Sequence, residues 1–441
     1  MTIRIFGEGL DSVIFAYALT RRDLAFEWIV ESNRFGGHFR GGLDCRGEPI
    51  DLGMVLLEPN NYGISQRQIN TFNGENGQSA RPFIDSAYHL LCKLAGDYQS
   101  VEIKSQGRDG QNTPDYFISD RFFAFEKNKK ELVGELKERV KWLEKNINWH
   151  PRLKLDQQSV LSRNSIADAM VNIYGESFYA EYFEEYLKNF LGDKIHILPA
   201  SSHRKAWVPL YWPETILEYL SLSKKTEPLF EPKFARFTTK SVAEWTTSMI
   251  EAINLHSKKK ITELALHSNR DNLDLESESV YAFLDSSRLQ DNSSSEKPVV
   301  HFTKLRIVHF CCFSQSTFVM FLADDQSGSF RLSVSPVDPP GSSKISIEFG
   351  QASEKLSDDE ILGSAIELCT RLGIGIKCAG VIHEGKIPIH AQNSYSDSKI
   401  PFMVRNKQTL FTASATSFND NIIRATWAID NEFRKEKPAW T

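Results

Sequence analysis

The segment GEGLDS, residues 7–12, combines residue types that bind phosphate groups. Gly7 and Gly9 follow the apolar stretch IRIF, and Ser12 takes the place of the third glycine in the pattern Gly-x-Gly-x-x-Gly. Glycine permits a tight turn between a strand and a helix, and it lets a pyrophosphate approach the N–H groups at the helix N-terminus. The segment predicts a dinucleotide phosphate site, and an ordinary strand-to-helix turn is the alternative.

Three carboxylates near this turn affect the predicted site in opposite ways. Glu31 ends the apolar stretch FEWIVE, about 20 residues after the glycines, where an acidic side chain accepts hydrogen bonds from an adenosine ribose. Glu8 and Asp11 lie inside the turn itself, where a like charge opposes the binding of phosphates. The Glu8 N–H can still face a ligand if its side chain points away. The predicted adenine-dinucleotide site therefore has a negatively charged entrance.

A second glycine motif follows the acidic residue. The stretch NRFGGHFRGG contains Arg34, Gly36 and Gly37, and the stretch GEPIDLG comes after it. This order of motifs resembles the N-terminal half of the FAD-binding fold shared by amine oxidases, phytoene desaturases and UDP-galactopyranose mutases. In that superfamily the Arg-x-Gly-Gly loop passes the diphosphate and ribityl chain of the flavin, so the resemblance implies this role for the three residues. A simple glycine turn is the alternative interpretation.

The C-terminal segment extends the resemblance. Residues 410–431 are similar in layout to the last FAD-contacting segment of these enzymes, in which a strand meets a helix whose N-terminus faces the flavin. Ser414 and Ala415 stand where the superfamily usually has Gly-Asp, so the aspartate that binds the cofactor chain is missing. The cofactor implied is FAD, and the residues expected to hold it are Gly7, Gly9, Leu10, Ser12, Glu31, Ser32, Arg34, Gly36, Gly37, His38, Ser417, Phe418, Asn419 and Ile422.

Two further segments supply residues that could contact a small-molecule substrate. In HRKAWVPLYWPET, aromatic faces could stack on a ring and an arginine could bind a phosphate or carboxylate; packing in an aromatic core is the alternative. Arg331 occupies a strand position resembling one that carries a substrate-phosphate arginine in mutase-like enzymes, with a surface ion pair as the alternative. The predicted substrate residues are Arg204, Trp207, Tyr211, Trp212 and Arg331.

Residue spacing and charge disfavour other kinds of chemistry. The six cysteines form no Cys-x-x-Cys pair, and His309 with Cys311 has no further ligand nearby in the sequence, so packing is expected and no metal site is predicted. A net charge of −5, from 52 basic and 57 acidic side chains, predicts no nucleic-acid partner. The cysteine usage, the lack of a signal-peptide pattern and the lack of a long apolar run predict a cytoplasmic protein without an integral membrane segment.

Apolar periodicity predicts the elements that position these residues. IRIF and FEWIVE are predicted as parallel strands joined by a helix, residues 129–147 and 165–192 as helical, and residues 280–287 as a strand that returns to the first sheet. The predicted fold class is α/β, a discontinuous FAD-binding Rossmann-like domain with an inserted α+β substrate domain. The FAD-binding parts are predicted at 1–80, 229–298 and 378–441, a mostly helical substrate domain at 81–228, and a β-rich substrate domain with a helix at 299–377.

The resemblance implies a function in general terms. We expect a flavin-dependent oxidoreductase, or a mutase-like enzyme that uses reduced flavin, acting on a small polar substrate such as a nucleotide sugar. The alternative is a non-catalytic scaffold or accessory protein of the same fold that has lost flavin, as the residues Glu8, Asp11, Ser12 and Ser414 permit. A dehydrogenase that uses nicotinamide alone is disfavoured, because the Arg-x-Gly-Gly loop and the closing segment would have no task there.

Overall fold

The computed structural model describes residues 3–32, 34–53, 55, 98–100, 102–105, 129–147, 165–198, 217, 235–237, 240–263, 280–283, 300–313, 318–322, 328–337, 342–390, 403–405, 408–411, 421–422, 424–425, 428–429 and 432. The chain divides into two compact units. The first consists of Met1–Gln99, Ala235–Lys297 and Asp397–Thr441, and the second of Ser100–Phe234 and Pro298–Ser396.

The described part of the chain begins with a strand–helix–strand unit, and its later strands and helices fall into longer runs of one type. In chain order they are β1 (Ile3–Phe6), α1 (Leu10–Arg21), β2 (Phe26–Val30), β3 (Gly42–Leu43), β4 (Pro49–Ile50), β5 (Tyr98–Ser100), β6 (Glu102–Ser105), α2 (Lys129–Ile147), α3 (Ile166–Tyr174), α4 (Glu176–Tyr182), α5 (Glu184–Leu191), β7 (Ala235–Phe237), α6 (Val242–Asn254), β8 (Lys259–Glu263), β9 (Val280–Phe283), β10 (Val300–Phe313), β11 (Phe318–Phe321), β12 (Ser329–Val337), β13 (Ser342–Phe349), α7 (Asp358–Arg371), β14 (Gly375–Ile376), β15 (Val381–His390), β16 (Met403–Arg405) and β17 (Gln408–Phe411).

The first unit is built on a six-stranded sheet in the order β16-β17-β9-β1-β2-β8. All neighbouring pairs are parallel except β16 and β17, which are antiparallel. In the register, Ile5 of β1 lies beside Trp28 of β2 and Tyr281 of β9. Because parallel strands end at the same edge of a sheet, the turn after β1 and the residues after β2 lie at one edge.

Helices cover this sheet with apolar side chains. In α1 the buried positions include Leu10, Val13, Ile14 and Phe15, and α1 packs against α6. The described C-terminal residues 421–422, 424–425, 428–429 and 432 are helical and are named the C-terminal helical segment. Its apolar residues belong to the same buried cluster as α1, the parallel strands and α6. The burial of this cluster holds the edge that carries the turn in place.

The second unit is built on a mostly antiparallel sheet. Its strand order is β14-β10-β13-β12-β11-β6, and β15 also pairs with β10. Helix α7 packs on one face of this sheet, against alternate residues of β10, β12 and β13. Strand β15 lies within residues 378–441, which the sequence assigned to the FAD-binding domain, whereas it pairs with a strand of the second unit. The predicted bounds of the FAD-binding and substrate domains remain predictions.

A glycine breaks one predicted helix of the second unit. Residues 165–192 were expected to be helical throughout, and the structure divides them into α3, α4 and α5. Gly175 ends α3 with φ +93°, a conformation that favours glycine, and an added Cβ would lie 2.2 Å from the Glu135 carboxylate. The chain therefore turns at Gly175, where another residue would be strained.

Other elements agree with the sequence predictions. The strand–helix–strand order of β1, α1 and β2, the helix α2 over 129–147 and the return of β9 to the first sheet are confirmed. Within the described part of the chain, no helix is long and apolar enough to cross a bilayer.

Candidate functional site

The glycine turn between β1 and α1 lies at the end of the parallel strands. Gly7 has φ +113° and donates its N–H to the Ile29 carbonyl at 3.1 Å. Its carbonyl accepts a hydrogen bond from Trp28 Nε1 at 2.8 Å. An added Cβ on Gly7 would lie 2.5 Å from the Phe283 carbonyl oxygen, so the position requires glycine. The turn is thereby fixed between β2 and β9.

The N-terminus of α1 holds side chains of the protein itself. Gly9 is the N-cap and makes no side-chain cap. The Asp11 N–H donates to Asn421 Oδ1 at 3.1 Å, and the Ser12 N–H donates to Asp11 Oδ1 at 2.9 Å. Arg424 Nη1 donates to the second carboxylate oxygen of Asp11 at 3.0 Å. Two N–H groups of the first helical turn, which dinucleotide-binding folds commonly present to phosphates, therefore bind a carboxylate and an amide.

The Asp11 carboxylate fills the space beside Gly9, the second glycine of the motif, which has no side chain. An added Cβ on Gly9 would lie 2.5 Å from Asp11 Oδ1 and 3.7 Å from Asn421 Oδ1. Asp11 is 1% exposed, and Arg424 is also buried. Burial raises the pKa of Asp11 above its usual value, while the charge of Arg424 and the Ser12 N–H act to lower it. The turn thus contains a buried acid–base pair at the positive end of a helix.

Glu8 reaches the end of β2 instead of facing the turn. Its Oε1 accepts hydrogen bonds from the N–H groups of Glu31 at 2.8 Å and Ser32 at 2.6 Å, and its Oε2 accepts one from the Ser32 hydroxyl at 2.7 Å. The side chain of Glu8 therefore binds the backbone N–H groups of Glu31 and Ser32, the segment in which Glu31 was expected to bind a ribose. Glu31 and Ser32 are partly exposed.

A backbone hydrogen bond joins the Arg-x-Gly-Gly loop to the glycine turn between β1 and α1. The Gly36 N–H donates to the Glu8 carbonyl at 2.7 Å, and an added Cβ on Gly36 would lie 2.6 Å from Thr246 of α6. Arg34, Gly37 and His38 are exposed. The structure therefore brings the two predicted glycine motifs together at one edge of the sheet.

The remaining predicted cofactor residues divide into buried and undescribed positions. Leu10 and Ile422 lie in the apolar core of the first unit, and the Ser12 hydroxyl donates to the Gly9 carbonyl at 2.7 Å. Ser417, Phe418 and Asn419 lie outside the described residues, as do Ser414 and Ala415. The predicted substrate residues Arg204, Trp207, Tyr211 and Trp212 also lie outside them.

Arg331 forms a buried ion pair in the second unit. Its Nε donates to Glu348 Oε1 at 2.7 Å, its Nη2 donates to Glu348 Oε2, and the two side chains are 5% and 1% exposed. Burial acts to lower the pKa of Arg331, and the charge and hydrogen bonds of Glu348 raise it above its usual value. The two residues are neighbours across β12 and β13. The guanidinium is thus engaged by a carboxylate of the protein.

The histidine and cysteines of β10 lie in the sheet of the second unit. His309 Nδ1 and the Ser346 hydroxyl lie 2.8 Å apart, and the Cys311 N–H donates to Cys378 Sγ at 2.9 Å. His309, Cys311 and Cys312 are buried. Burial raises the pKa of the Cys312 thiol to about 11, which keeps it protonated near neutral pH.

Two contributors to the turn were missed by the sequence analysis. Asn421 and Arg424 bind the first turn of α1 from 410 and 413 residues away. A signal was present, because both polar residues share the buried side of the C-terminal helical segment with Ala425 and Ala428. A polar residue on a buried helix face requires a partner, and Asp11 was the unexplained acid of the turn.

Several solved structures resemble this chain in fold and are distant from it in sequence. The chain is 13% identical to a reduced UDP-galactopyranose mutase, with 99% of this chain and 96% of that one covered and a TM-score of 0.61. It is 12% identical to wild-type putrescine oxidase bound to putrescine (98% and 99% covered, TM-score 0.53) and 13% identical to cyclohexylamine oxidase from Brevibacterium oxydans IH-35A (99% and 99% covered, TM-score 0.51). No family model and no curated protein sequence matches the chain.

These similarities establish the fold. The chain has the architecture shared by this mutase and these amine oxidases over nearly its whole length. The resemblance inferred from the glycine motifs is therefore confirmed at the level of the fold.

Proposed function

We propose that this chain is an FAD-dependent enzyme, because it has the fold of a mutase and two oxidases and keeps the glycine turn at the sheet edge. The observation that carries the proposal is the β1–α1–β2 unit with β9 on the other side of β1. It places Gly9 and Glu31 at the ends of adjacent parallel strands, which is where this type of fold binds a dinucleotide.

The described residues fit the diphosphate of FAD in chemical type once the Asp11 carboxylate and the Asn421 amide release the first turn of α1. Gly9 carries no side chain, so a phosphate can approach its backbone when the space outside it is open. The N–H groups of Asp11 and Ser12 would then face the diphosphate, and Glu31 would accept hydrogen bonds from the ribose. Gly37 and His38 would line the path toward the flavin. Ser417, Phe418 and Asn419 are proposed to complete the site.

The finer function follows from the kind of chemistry that a flavin supplies. Bound FAD would provide hydride-transfer chemistry or, when reduced, a nucleophilic nitrogen. The protein would then need to orient a substrate and exclude water. We propose a small polar substrate, with a nucleotide sugar as the first class to test, because the solved structure with a TM-score of 0.61 is a UDP-galactopyranose mutase. Arg204, Trp207, Tyr211 and Trp212 are the proposed substrate contacts.

The role of Arg331 in substrate binding needs its pair with Glu348 to open. Its Nη1 is buried and makes no hydrogen bond to any residue that the structure describes. Two of the three guanidinium nitrogens bind Glu348 and the third is buried, so a substrate oxygen could reach Arg331 only when this pair opens.

The visible spectrum of the freshly purified full-length protein tests the proposed function. A flavin absorbance band, and release of FAD on denaturation, are the expected results. A colourless protein that takes up no added FAD, measured by flavin fluorescence after gel filtration, would contradict the proposal.

A second candidate function is supported by the occupied turn. Asp11 and Asn421 satisfy the N–H groups that a diphosphate would use, as expected for a non-catalytic protein that keeps the fold without the cofactor. The same spectrum separates the two candidates. Thermal unfolding with and without FAD adds a second readout, because a ligand that binds the folded state raises the melting temperature.

A further inference from the structure

The first turn of α1 is a site for an anion that the protein itself occupies. Asp11 Oδ1 accepts the Ser12 N–H at 2.9 Å, and the same oxygen lies 2.5 Å from the position of an added Cβ on Gly9. A phosphate that approached Gly9 would need this space and this N–H group. The carboxylate and the diphosphate of a dinucleotide therefore exclude each other.

Arg424 can form an ion pair with either anion, the Asp11 carboxylate or a diphosphate. Its Nη1 binds Asp11 Oδ2 at 3.0 Å, and both side chains are nearly buried, at 10% and 2% exposure. A buried carboxylate without this partner would be disfavoured, because burial already raises the pKa of Asp11. A guanidinium binds phosphate as readily as it binds carboxylate. Arg424 can therefore transfer from Asp11 to a diphosphate at the same helix end.

Asn421 holds the second N–H group of this turn. Its Oδ1 accepts the Asp11 N–H at 3.1 Å, and Asn421 is 2% exposed. Residues 421 and 424 both belong to the C-terminal helical segment, so a shift of this segment would release the Asp11 N–H and move Arg424 together. The two contacts couple the N-terminal turn to the end of the chain.

We infer that Asp11 is a built-in competitor of the cofactor's diphosphate: its carboxylate, held by Arg424, occupies the N-terminus of α1, and FAD binds there by displacing it. This inference rests on the proposed function, since it concerns the FAD site. It explains how a turn with two acidic residues can belong to a dinucleotide fold. An internal anion closes the turn until a diphosphate takes its place, and Arg424 provides the positive charge for both anions.

Binding of two flavins to five forms of the protein tests the inference. FAD carries a diphosphate, and riboflavin lacks one. We expect the apoprotein of Asp11→Ala to bind FAD about 10- to 100-fold more tightly than the wild type, with riboflavin binding unchanged, as loss of a competing like charge and of its blocking volume predicts. Asp11→Ala with Arg424→Ala should lose this gain. Glu27→Gln is the charge-matched control, because Glu27 pairs with Arg4 and Lys260 elsewhere on the sheet.

The flavin dissociation constants are measured by fluorescence quenching, and melting temperatures give an independent readout. Without FAD, Asp11→Ala should melt below the wild type, since the buried ion pair of Asp11 with Arg424 is lost, and FAD should remove the difference. Asp11→Asn keeps the shape of the side chain and removes its charge, so it replaces Asp11→Ala in the test if that variant folds poorly. Equal FAD affinity in wild type and both Asp11 variants, or an equal gain for riboflavin, overturns the inference while leaving the proposed function intact. Failure of every form to bind FAD overturns the proposed function itself.

Discussion

Two buried arginine–carboxylate pairs, one in each unit, stand at positions that the sequence linked to ligands. Asp11 and Arg424 meet at the N-terminus of α1, and Arg331 and Glu348 meet across β12 and β13. In the first pair one carboxylate oxygen binds the arginine and the other binds a helix N–H. In the second pair both oxygens bind the guanidinium.

This difference distinguishes the pair that we propose a ligand replaces from one that belongs to the sheet. A helix N-terminus attracts any anion, so the Asp11 carboxylate holds a place that phosphate can also take. Glu348 neighbours Arg331 in the strand register, and its loss would leave a buried charge inside a sheet. The contacts of each carboxylate, more than its burial, indicate whether a ligand anion can replace it.

The largest effect is expected from breaking the pair in the sheet. Glu348→Ala should lower the free energy of unfolding by about 3–5 kcal/mol, because it leaves Arg331 buried without its charge partner. Urea unfolding followed by circular dichroism measures the loss. The double variant Arg331→Met with Glu348→Leu should recover most of it, since an apolar pair of similar volume often replaces a buried ion pair. A loss below about 1 kcal/mol for Glu348→Ala would show that the pair is not structural.

The rigidity of the turn that presents Asp11 can be tested with two glycines. Gly7→Ala should cost about 2–3 kcal/mol, because Gly7 has φ +113° and an added Cβ would meet the Phe283 carbonyl. Gly37→Ala is the matched control, with φ +54° and no atom within 4 Å of an added Cβ. It should cost about 1 kcal/mol. Equal losses of unfolding free energy for the two variants would indicate that the turn can change its backbone conformation. The geometry of the turn would then not hold Asp11 in place.

A double-mutant cycle tests whether the first pair is exchangeable. Asp11→Asn and Arg424→Gln should show a coupling energy of about 1–2 kcal/mol in the apoprotein. At saturating FAD the coupling should fall below about 0.5 kcal/mol, since Arg424 then binds the diphosphate. Chemical unfolding of the four forms, with and without FAD, provides the values. An unchanged coupling at saturating FAD would place the Asp11 pair in the same structural class as the Arg331 pair.

The smallest effects are expected at two helix caps, one in each unit. Ser241 of α6 and Ser357 of α7 each form a capping box with the glutamate three residues later. The first turn of α6 is also bound by Asp51, whose carboxylate accepts the Ala243 N–H at 2.8 Å. Ser357→Ala should therefore cost about 1 kcal/mol, and Ser241→Ala about 0.5 kcal/mol. The reverse order in thermal unfolding would show that Asp51 does not support the helix.

Much of the first unit could be predicted because its signals are local. Alternating and continuous apolar stretches located β1, β2 and α1, and the glycines located the turn between them. The break of a helix at Gly175 was missed, because a single glycine is tolerated inside a helix and its φ of +93° is known only from the structure. An ion pair at Arg331 was an open alternative, but it was expected at the surface. Its burial and its partner Glu348 were missed, since Glu348 becomes a neighbour only in the sheet register.

The sequence by itself determined that a glycine turn follows the first strand, that acids lie in it, and that a dinucleotide fold is built around it. These features depend on the periodicity and spacing of nearby residues. Only the tertiary structure decided what the turn holds. Asn421 and Arg424 reach it from the far end of the chain. Their place on a buried helix face indicates that they need partners, but residue spacing does not identify a partner about 410 positions away.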